Sequence, residues 1–275
     1  MKQSSRVVLV TGASSGMGKA FALALLGEGM VVYAVARRVD QMTELRRLGA
    51  ITLAMDITSE QDVERVVAHI KSQHGTVDVL LNNAGFGLYG AMEDTLIDDA
   101  RYQFEVNLFG LARLTQALLP GMRSQGKGLI INISSMGGKV YTPLGSWYHA
   151  TKHALEGWSD CLRLELRQFG INVVLIEPGA IDTEFGAVML EPMLRRSENG
   201  AYHAMAQKVA SATRQSYKPG SLSKPQVIVD LVLKAVRSAH PKTRYVGGKY
   251  ARPLMTIRKW LGDRIYDKLM IAMVR

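Results

Sequence analysis

The sequence predicts an α/β protein: a single domain built on a doubly wound parallel sheet of about seven strands, with helices on both faces. Short runs rich in Val, Ile and Leu alternate with longer stretches of helical periodicity, the pattern of repeated strand–helix–strand units. These runs are apolar throughout rather than alternating, as strands buried on both faces require. The chain has 275 residues, 47 % apolar and 21 % charged. That is enough to bury a substantial core and too apolar for a disordered chain.

Strands are expected at Val7–Val10, Val31–Ala36, Ile51–Met55, Val77–Leu81, Leu129–Ile133 and Val173–Ile176, with a short one around Arg244–Val246. Helices are expected near Met17–Leu26, Gln41–Leu48, Glu60–Gln73, Asp98–Arg123, Trp147–Phe169 and Gln226–Ser238. Ser59 followed by Asp62 suits the start of the third helix, where a hydroxyl caps an unpaired amide. Right-handed crossovers then place helices on both sides of the sheet. After Pro178 the pattern weakens. Residues 183–224, with Met189, Met193 and Met205, read as a mobile, partly helical lid, and residues 251–275 as a basic amphipathic extension. No linker or internal repeat divides the chain.

Composition narrows the function classes. The single cysteine, Cys161, excludes an internal disulfide framework and, on a helical pattern, reads as a packed thiol in a reducing compartment. From Met1 to Arg6 the chain runs into the first strand without an apolar leader, and no apolar stretch reaches membrane-spanning length. A cytoplasmic location follows as the expectation. The net charge of +10 resides in residues 181–275, where 17 basic groups face 7 acidic ones; residues 1–180 balance at 17 of each. No nucleic-acid recognition motif accompanies that charge, so nucleic acid is not expected as a partner.

Three segments carry chemistry. Thr11-Gly12-Ala13-Ser14-Ser15-Gly16-Met17-Gly18 joins the first strand to the first helix. Its glycines permit a sharp turn and close approach of a pyrophosphate to the amides of a helix N-terminus, although a tight strand–helix turn alone also wants them. Tyr148 and Lys152 stand four apart on a helix, so they share a face, and an ammonium there would lower a phenol's pKa towards general acid/base use. Ser135 lies thirteen residues before Tyr148, at the carboxyl end of the fifth strand, where ligands of such sheets gather. Ser134 is the rival hydroxyl. His149 and His153 have a spacing able to bind metal, but no third ligand pattern joins them, and packing or an exposed face is the simpler expectation.

With Asn82-Asn83-Ala84-Gly85 after the fourth strand, these segments resemble the short-chain dehydrogenase/reductase family in order and spacing over residues 6–247. The branch they resemble is the hydroxysteroid- and retinol-dehydrogenase-like one, through Asn-Asn-Ala-Gly-Phe-Gly and the long basic tail. The resemblance implies a Rossmann-type fold and a catalytic set of Asn107, Ser135, Tyr148 and Lys152. Ser135 would hydrogen-bond the substrate oxygen and Tyr148 would deliver a proton. Lys152 would bind the nicotinamide ribose and tune Tyr148, and Asn107 would hold a relay water. The asparagine's alternative is a buried amide pinning a helix bend.

Cofactor contacts are implied at Gly12, Ser14, Ser15, Gly16, Met17 and Gly18 in the first loop. Further contacts follow at Asp56 and Ile57, at Asn83, Ala84 and Gly85, and at Tyr148 and Lys152. Pro178, Gly179, Ile181 and Thr183 complete them beside the nicotinamide. The second strand ends in Ala36, where an NAD-selecting enzyme carries an acid, and Arg37 and Arg38 follow with donors suited to a 2′-phosphate. NADP(H) is therefore the expected cofactor, Arg37 its main contact, and the alternative is a pair of solvated arginines.

Ser135, Met136, Leu144, Trp147, Phe185, Val188 and Met189 are expected to wall an apolar substrate cleft, which suits a hydrophobic alcohol or carbonyl compound. No metal is expected. By resemblance the Asp98–Arg123 and Trp147–Phe169 helices would form a homodimer or homotetramer interface. The apolar stripe Leu254, Ile257, Leu261, Ile265 and Leu269 with its basic neighbours leaves two readings: a helix packed over the cleft or a neighbouring subunit, and a peripheral membrane contact. A catalytically silent nucleotide-binding regulator and a membrane-associated adaptor are the other classes this fold would serve.

Overall fold

A computed structural model describes residues 5–218 and 220–274. Parts of three expectations lie outside the described residues: residues 1–4 of the leaderless start, Pro219 of the 183–224 segment, and Arg275 of the extension.

The first half of the sheet is built by β1 (Val7–Thr11), α1 (Gly16–Gly27), β2 (Val31–Ala36), α2 (Thr43–Arg47), β3 (Ile51–Ala54), α3 (Glu60–His74) and β4 (Val79–Asn82). The chain continues through α4 (Ile97–Phe104), α5 (Gly110–Ser124), β5 (Gly128–Ile133), α6 (Ser146–Leu166) and β6 (Ile171–Pro178). It ends with α7 (Phe185–Arg196), α8 (His203–Ser216), α9 (Gln226–Arg237), β7 (Arg244–Gly247) and α10 (Ala251–Met273). All seven strands form one parallel sheet in the order β3-β2-β1-β4-β5-β6-β7. The order reverses between β1 and β4, so the loops leaving those strands diverge and open a crevice at their carboxyl ends.

Alternate residues of each strand feed opposite cores. Val8, Val10 and Val32 pack under Phe21 and Leu25 of α1 and Val232 of α9. Leu9, Tyr33 and Ile130 pack under Val66 and Ile70 of α3 and Leu114 of α5. Each such side chain, removed from water, contributes about 1.5–3 kcal/mol, which is why the strands show no polar face in the sequence. At α3 the hydroxyl of Ser59 accepts from the Asp62 amide at 3.2 Å, as expected. The Asp62 carboxylate then accepts from the Asp56 amide at 2.8 Å, fixing the loop after β3.

Several expectations are corrected. The long helix before β5 is interrupted by a π-turn at Glu105–Phe109. Gly110 passes so close to the Ile57 carbonyl that a Cβ would lie 2.5 Å from the oxygen. Residues 183–224 are partly helical, in agreement with the sequence: α7 and α8 pack together through Met189, Met193, Val209 and Ala210. Cys161 is exposed rather than packed, because α6 buries its opposite face through Thr151, Leu155, Ser159 and Leu162. The extension is a helix bent at Gly262, whose φ of 74° and ψ of 175° leave the helical region. Its Tyr266 and Met270 bury against Val140, beside the cleft.

Candidate active site

The loop after β1 is pinned from below. Asn83 Nδ2 donates to the Thr11 carbonyl at 3.0 Å, and the Asn83 and Ala84 amides both donate to Thr11 Oγ1 at 3.0 Å. Gly12 and Gly16 adopt positive φ, and a Cβ on Gly18 would sit 2.2 Å from the Gly12 carbonyl oxygen. Ser15, the N-cap of α1, makes no side-chain cap bond. The first amides of α1 therefore have no side-chain cap, and a Cβ on Gly16 would meet nothing within 4 Å. Uncapped amides facing open space fit a pyrophosphate. Arg37 and Arg38 stand exposed beyond β2. Arg37 donates to the Tyr102 hydroxyl at 2.9 Å and Arg38 reaches Ser15 Oγ, in the loop after β1, at 3.5 Å. Asp56 directs Oδ1 to Thr58, accepting from its amide and hydroxyl.

At the other end, β5 delivers Ser134 and Ser135 to the crevice and α6 presents Tyr148 and Lys152. Tyr148 is 8 % exposed, wedged between the rings of Tyr89 and Phe185 at centroid distances of 5.5 and 5.6 Å. Burial pushes its pKa up to about 12, while its hydrogen bond with the Ser135 hydroxyl opposes the rise. The expected lowering by the Lys152 ammonium is therefore corrected: in the chain alone desolvation dominates, and the phenol holds its proton. Lys152 Nζ donates to the Ile133 carbonyl at 2.9 Å. Burial lowers its pKa to about 8, opposed by Glu156 one turn on. Ser134 also lines the cavity, but its Oγ is buried without a partner.

Asn107 sits in the π-turn, 1 % exposed. Its Oδ1 accepts from the Phe86 amide at 3.1 Å, and its Nδ2 donates to the Phe86 carbonyl and to Thr151 Oγ1 at 3.0 and 3.2 Å. It thus joins the loop after β4 to α6. A π-turn of this kind recurs at functional sites.

A cavity of about 310 Å³ runs from Met17, Asn83 and Gly85 past Ser135, Tyr148 and Lys152. Pro178, Gly179, Ile181 and Thr183 line it. The backbone of this stretch is held from behind, where the Gly179 amide donates to the Gly247 carbonyl at 2.7 Å. Met136, Phe185 and Met189 face the cavity as expected. Leu144, Trp147 and Val188 do not: Leu144 belongs to the core it forms with Met189 and Met193, Trp147 is not among the lining residues, and Val188 is 64 % exposed. The residues missed are Tyr89, Thr142 and Tyr217 and, from α10, Leu254, Tyr266 and Met273. The apolar stripe of α10 left open whether it would cover the cleft, a neighbouring subunit or a membrane, and Leu254, Tyr266 and Met273 line the cleft. Among the described residues no group of three His, Cys, Asp or Glu converges as a metal site.

A parallel sheet with a glycine-lined nucleotide crevice and a Ser–Tyr–Lys cluster at its carboxyl ends defines an oxidoreductase of the Rossmann type. Residues 6–193 match the family model for short chain dehydrogenase, and the chain belongs to that family. A solved short-chain dehydrogenase from Streptomyces avermitilis is similar at 34 % identity, covering 99 % of each chain with a TM-score of 0.81. The closed form of serine dehydrogenase complexed with NADP+ is similar at 27 % identity over 88 % of this chain and 94 % of that one, with a TM-score of 0.77. Among curated relatives, a 3-ketodihydrosphingosine reductase of Bacteroides thetaiotaomicron is 40 % identical over 180 residues, 66 % of this chain and 65 % of that protein.

Proposed function

We propose that the protein is an NADP(H)-dependent reductase of hydrophobic ketones or aldehydes, running reversibly to the alcohol. The observation that carries this is the Tyr148 hydroxyl, buried with Ser135 and Lys152 where the glycine-lined crevice meets an apolar cavity. NADPH, when bound, supplies the hydride. Tyr148 donates its proton to the carbonyl oxygen, and Ser135, with one Oγ lone pair taken by the Gly137 amide at 2.9 Å, aims its own hydrogen at the same oxygen. Lys152 would place a positive charge beside the phenolate formed and would hold the ribose of the bound nucleotide. Asn107 holds α6 in register and a relay water beside it. Arg37 and Arg38 select the 2′-phosphate.

Apolar walls and the lipid-like substrate in the name of the 3-ketodihydrosphingosine reductase support a lipophilic compound. NADPH oxidation across a panel of lipophilic ketones and aldehydes, with Tyr148→Phe as control, tests the reading. Tight NADPH binding with no turnover on any carbonyl would favour the silent regulator instead.

Two further parts of the reading concern partners. Phe109 and Leu164 are 52 % and 69 % exposed on the faces of the helices flanking β5, which supports a homo-oligomer there. Light scattering on Leu164→Glu checks it. On α10, Trp260, Leu261 and Ile265 are 73 %, 54 % and 49 % exposed among Lys259, Arg264 and Lys268. Exposed apolar groups interleaved with basic ones suit an anionic lipid surface, while Tyr266 and Met270 keep the same helix on the cleft. Among the described residues no helix is long and apolar enough to cross a membrane. Co-sedimentation with phosphatidylglycerol vesicles, lost in Trp260→Ser/Leu261→Ser, tests the surface contact.

A further inference from the structure

The side chain after Tyr148 has no step in that reaction, yet His149 is 7 % exposed and both its ring nitrogens are bonded to backbone. The Thr142 amide donates to Nε2 at 3.1 Å. A backbone N–H can only donate, so Nε2 is the acceptor and the ring proton sits on Nδ1. Nδ1 then donates to the Gly137 carbonyl at 2.9 Å. Burial pushes the imidazole pKa down to about 4, which keeps the ring neutral under physiological conditions.

The seat is shaped to the ring. A Cβ on Gly145 would lie 2.7 Å from Cδ2, and one on Gly137 would lie 3.0 Å from Nδ1. Gly137 passes the restraint on, because its amide donates to Ser135 Oγ at 2.9 Å. Within the same segment Leu144 holds a φ of 63°, a strained conformation that only its surroundings maintain. The Gly90 amide, donating to its carbonyl at 2.8 Å, and the core it shares with Tyr89, Tyr148 and Met189 are those surroundings.

We propose that His149 is a positioning residue: its neutral ring ties the Gly137 and Thr142 ends of the segment 135–145 to α6 and so sets the Ser135 hydroxyl opposite Tyr148. The kinetic consequence rests on the reduction proposed above; the structural one does not. Asparagine places its amide nitrogen near the position of Nδ1, whereas glutamine places its end group near Nε2. His149→Asn therefore keeps the Gly137 bond, and His149→Gln keeps the Thr142 bond.

Turnover and amide hydrogen exchange at Gly137 are measured on both full-length variants, alongside their melting temperatures. His149→Asn should retain most of kcat and near-native exchange at Gly137. His149→Gln should lose about 10- to 100-fold in kcat at unchanged NADPH affinity, with faster exchange at Gly137. Equal kcat in the two variants, a kcat loss that merely tracks melting temperature, or native exchange at Gly137 in His149→Gln overturns the proposal. Exchange needs no turnover, so wild-type protein inert towards every carbonyl compound would sink the reductase reading while the clamp is still judged at Gly137.

Discussion

Lys152 and Ile133 are joined directly: the lysine ammonium donates to the last carbonyl of β5 at 2.9 Å. The helix that carries the phenol is thereby tied to the strand end that carries Ser135. Burial holds this lysine at about 8, below its ordinary 10.5. It is charged below about 8 and loses that charge above, so kcat/KM for reduction should fall as pH rises through about 8. Initial rates from about pH 6 to about pH 10 check this. Lys152→Met should abolish the alkaline limb together with most of the rate.

Tyr148 is expected to be indispensable. Its pKa of about 12 keeps it protonated at neutral pH, and phenylalanine preserves its packing between Tyr89 and Phe185 while removing the proton. Tyr148→Phe should lower kcat by about 10³-fold or more. Fluorescence titration should show NADPH binding unchanged.

Adjacent serines should behave oppositely. Ser135→Ala removes a hydrogen bond aimed at the reacting oxygen and should cost about 10²–10³-fold in kcat. Ser134 is 3 % exposed and its hydroxyl has no partner. Ser134→Ala removes a desolvated group and should leave kcat near native and stability equal or higher by about 1 kcal/mol. Steady-state rates and denaturant midpoints separate the two.

The two arginines beyond β2 should set cofactor choice. Each charge-assisted bond to a phosphate contributes about 1.5–3 kcal/mol, so Arg37→Ala and Arg38→Ala should each weaken NADP(H) by about tenfold or more and leave NAD(H) little changed. The contact of Arg38 with Ser15 places its guanidinium nearer the pyrophosphate loop than that of Arg37, which turns to Tyr102. The Arg38 variant should therefore show the larger loss, which revises the expectation from the sequence that Arg37 is the main contact. Paired Kd values for the two dinucleotides decide it.

Much of this molecule was legible because its signals are local. Apolar runs marked six of the seven strands, since a parallel strand covered on both faces has no polar side to confuse the pattern. The pairing of Tyr148 with Lys152 followed from the helical repeat, and Ser135 from its place at a strand end. The exposure of Cys161 was misjudged because α6 is amphipathic with its polar face partly apolar, and composition does not say which side meets the sheet. Leu144 and Trp147 were expected on the cavity wall, but Leu144 packs in the core with Met189 and Met193, and Trp147 is not among the residues that line the cavity.

The order of elements, the turns and the reactive side chains were thus set by residues close together in the chain, through periodicity, glycine placement and capping. The tertiary structure alone decided how deeply the phenol is buried, because that depends on Phe185 of α7 and on Tyr89 from a distant loop. It also decided that Asn107 hooks Phe86 to Thr151, that the His149 ring holds two backbone strands of one loop, and that α10 covers the cleft. These features arise from surfaces far apart in sequence meeting once the sheet has formed, and periodicity reports a buried face without naming what buries it.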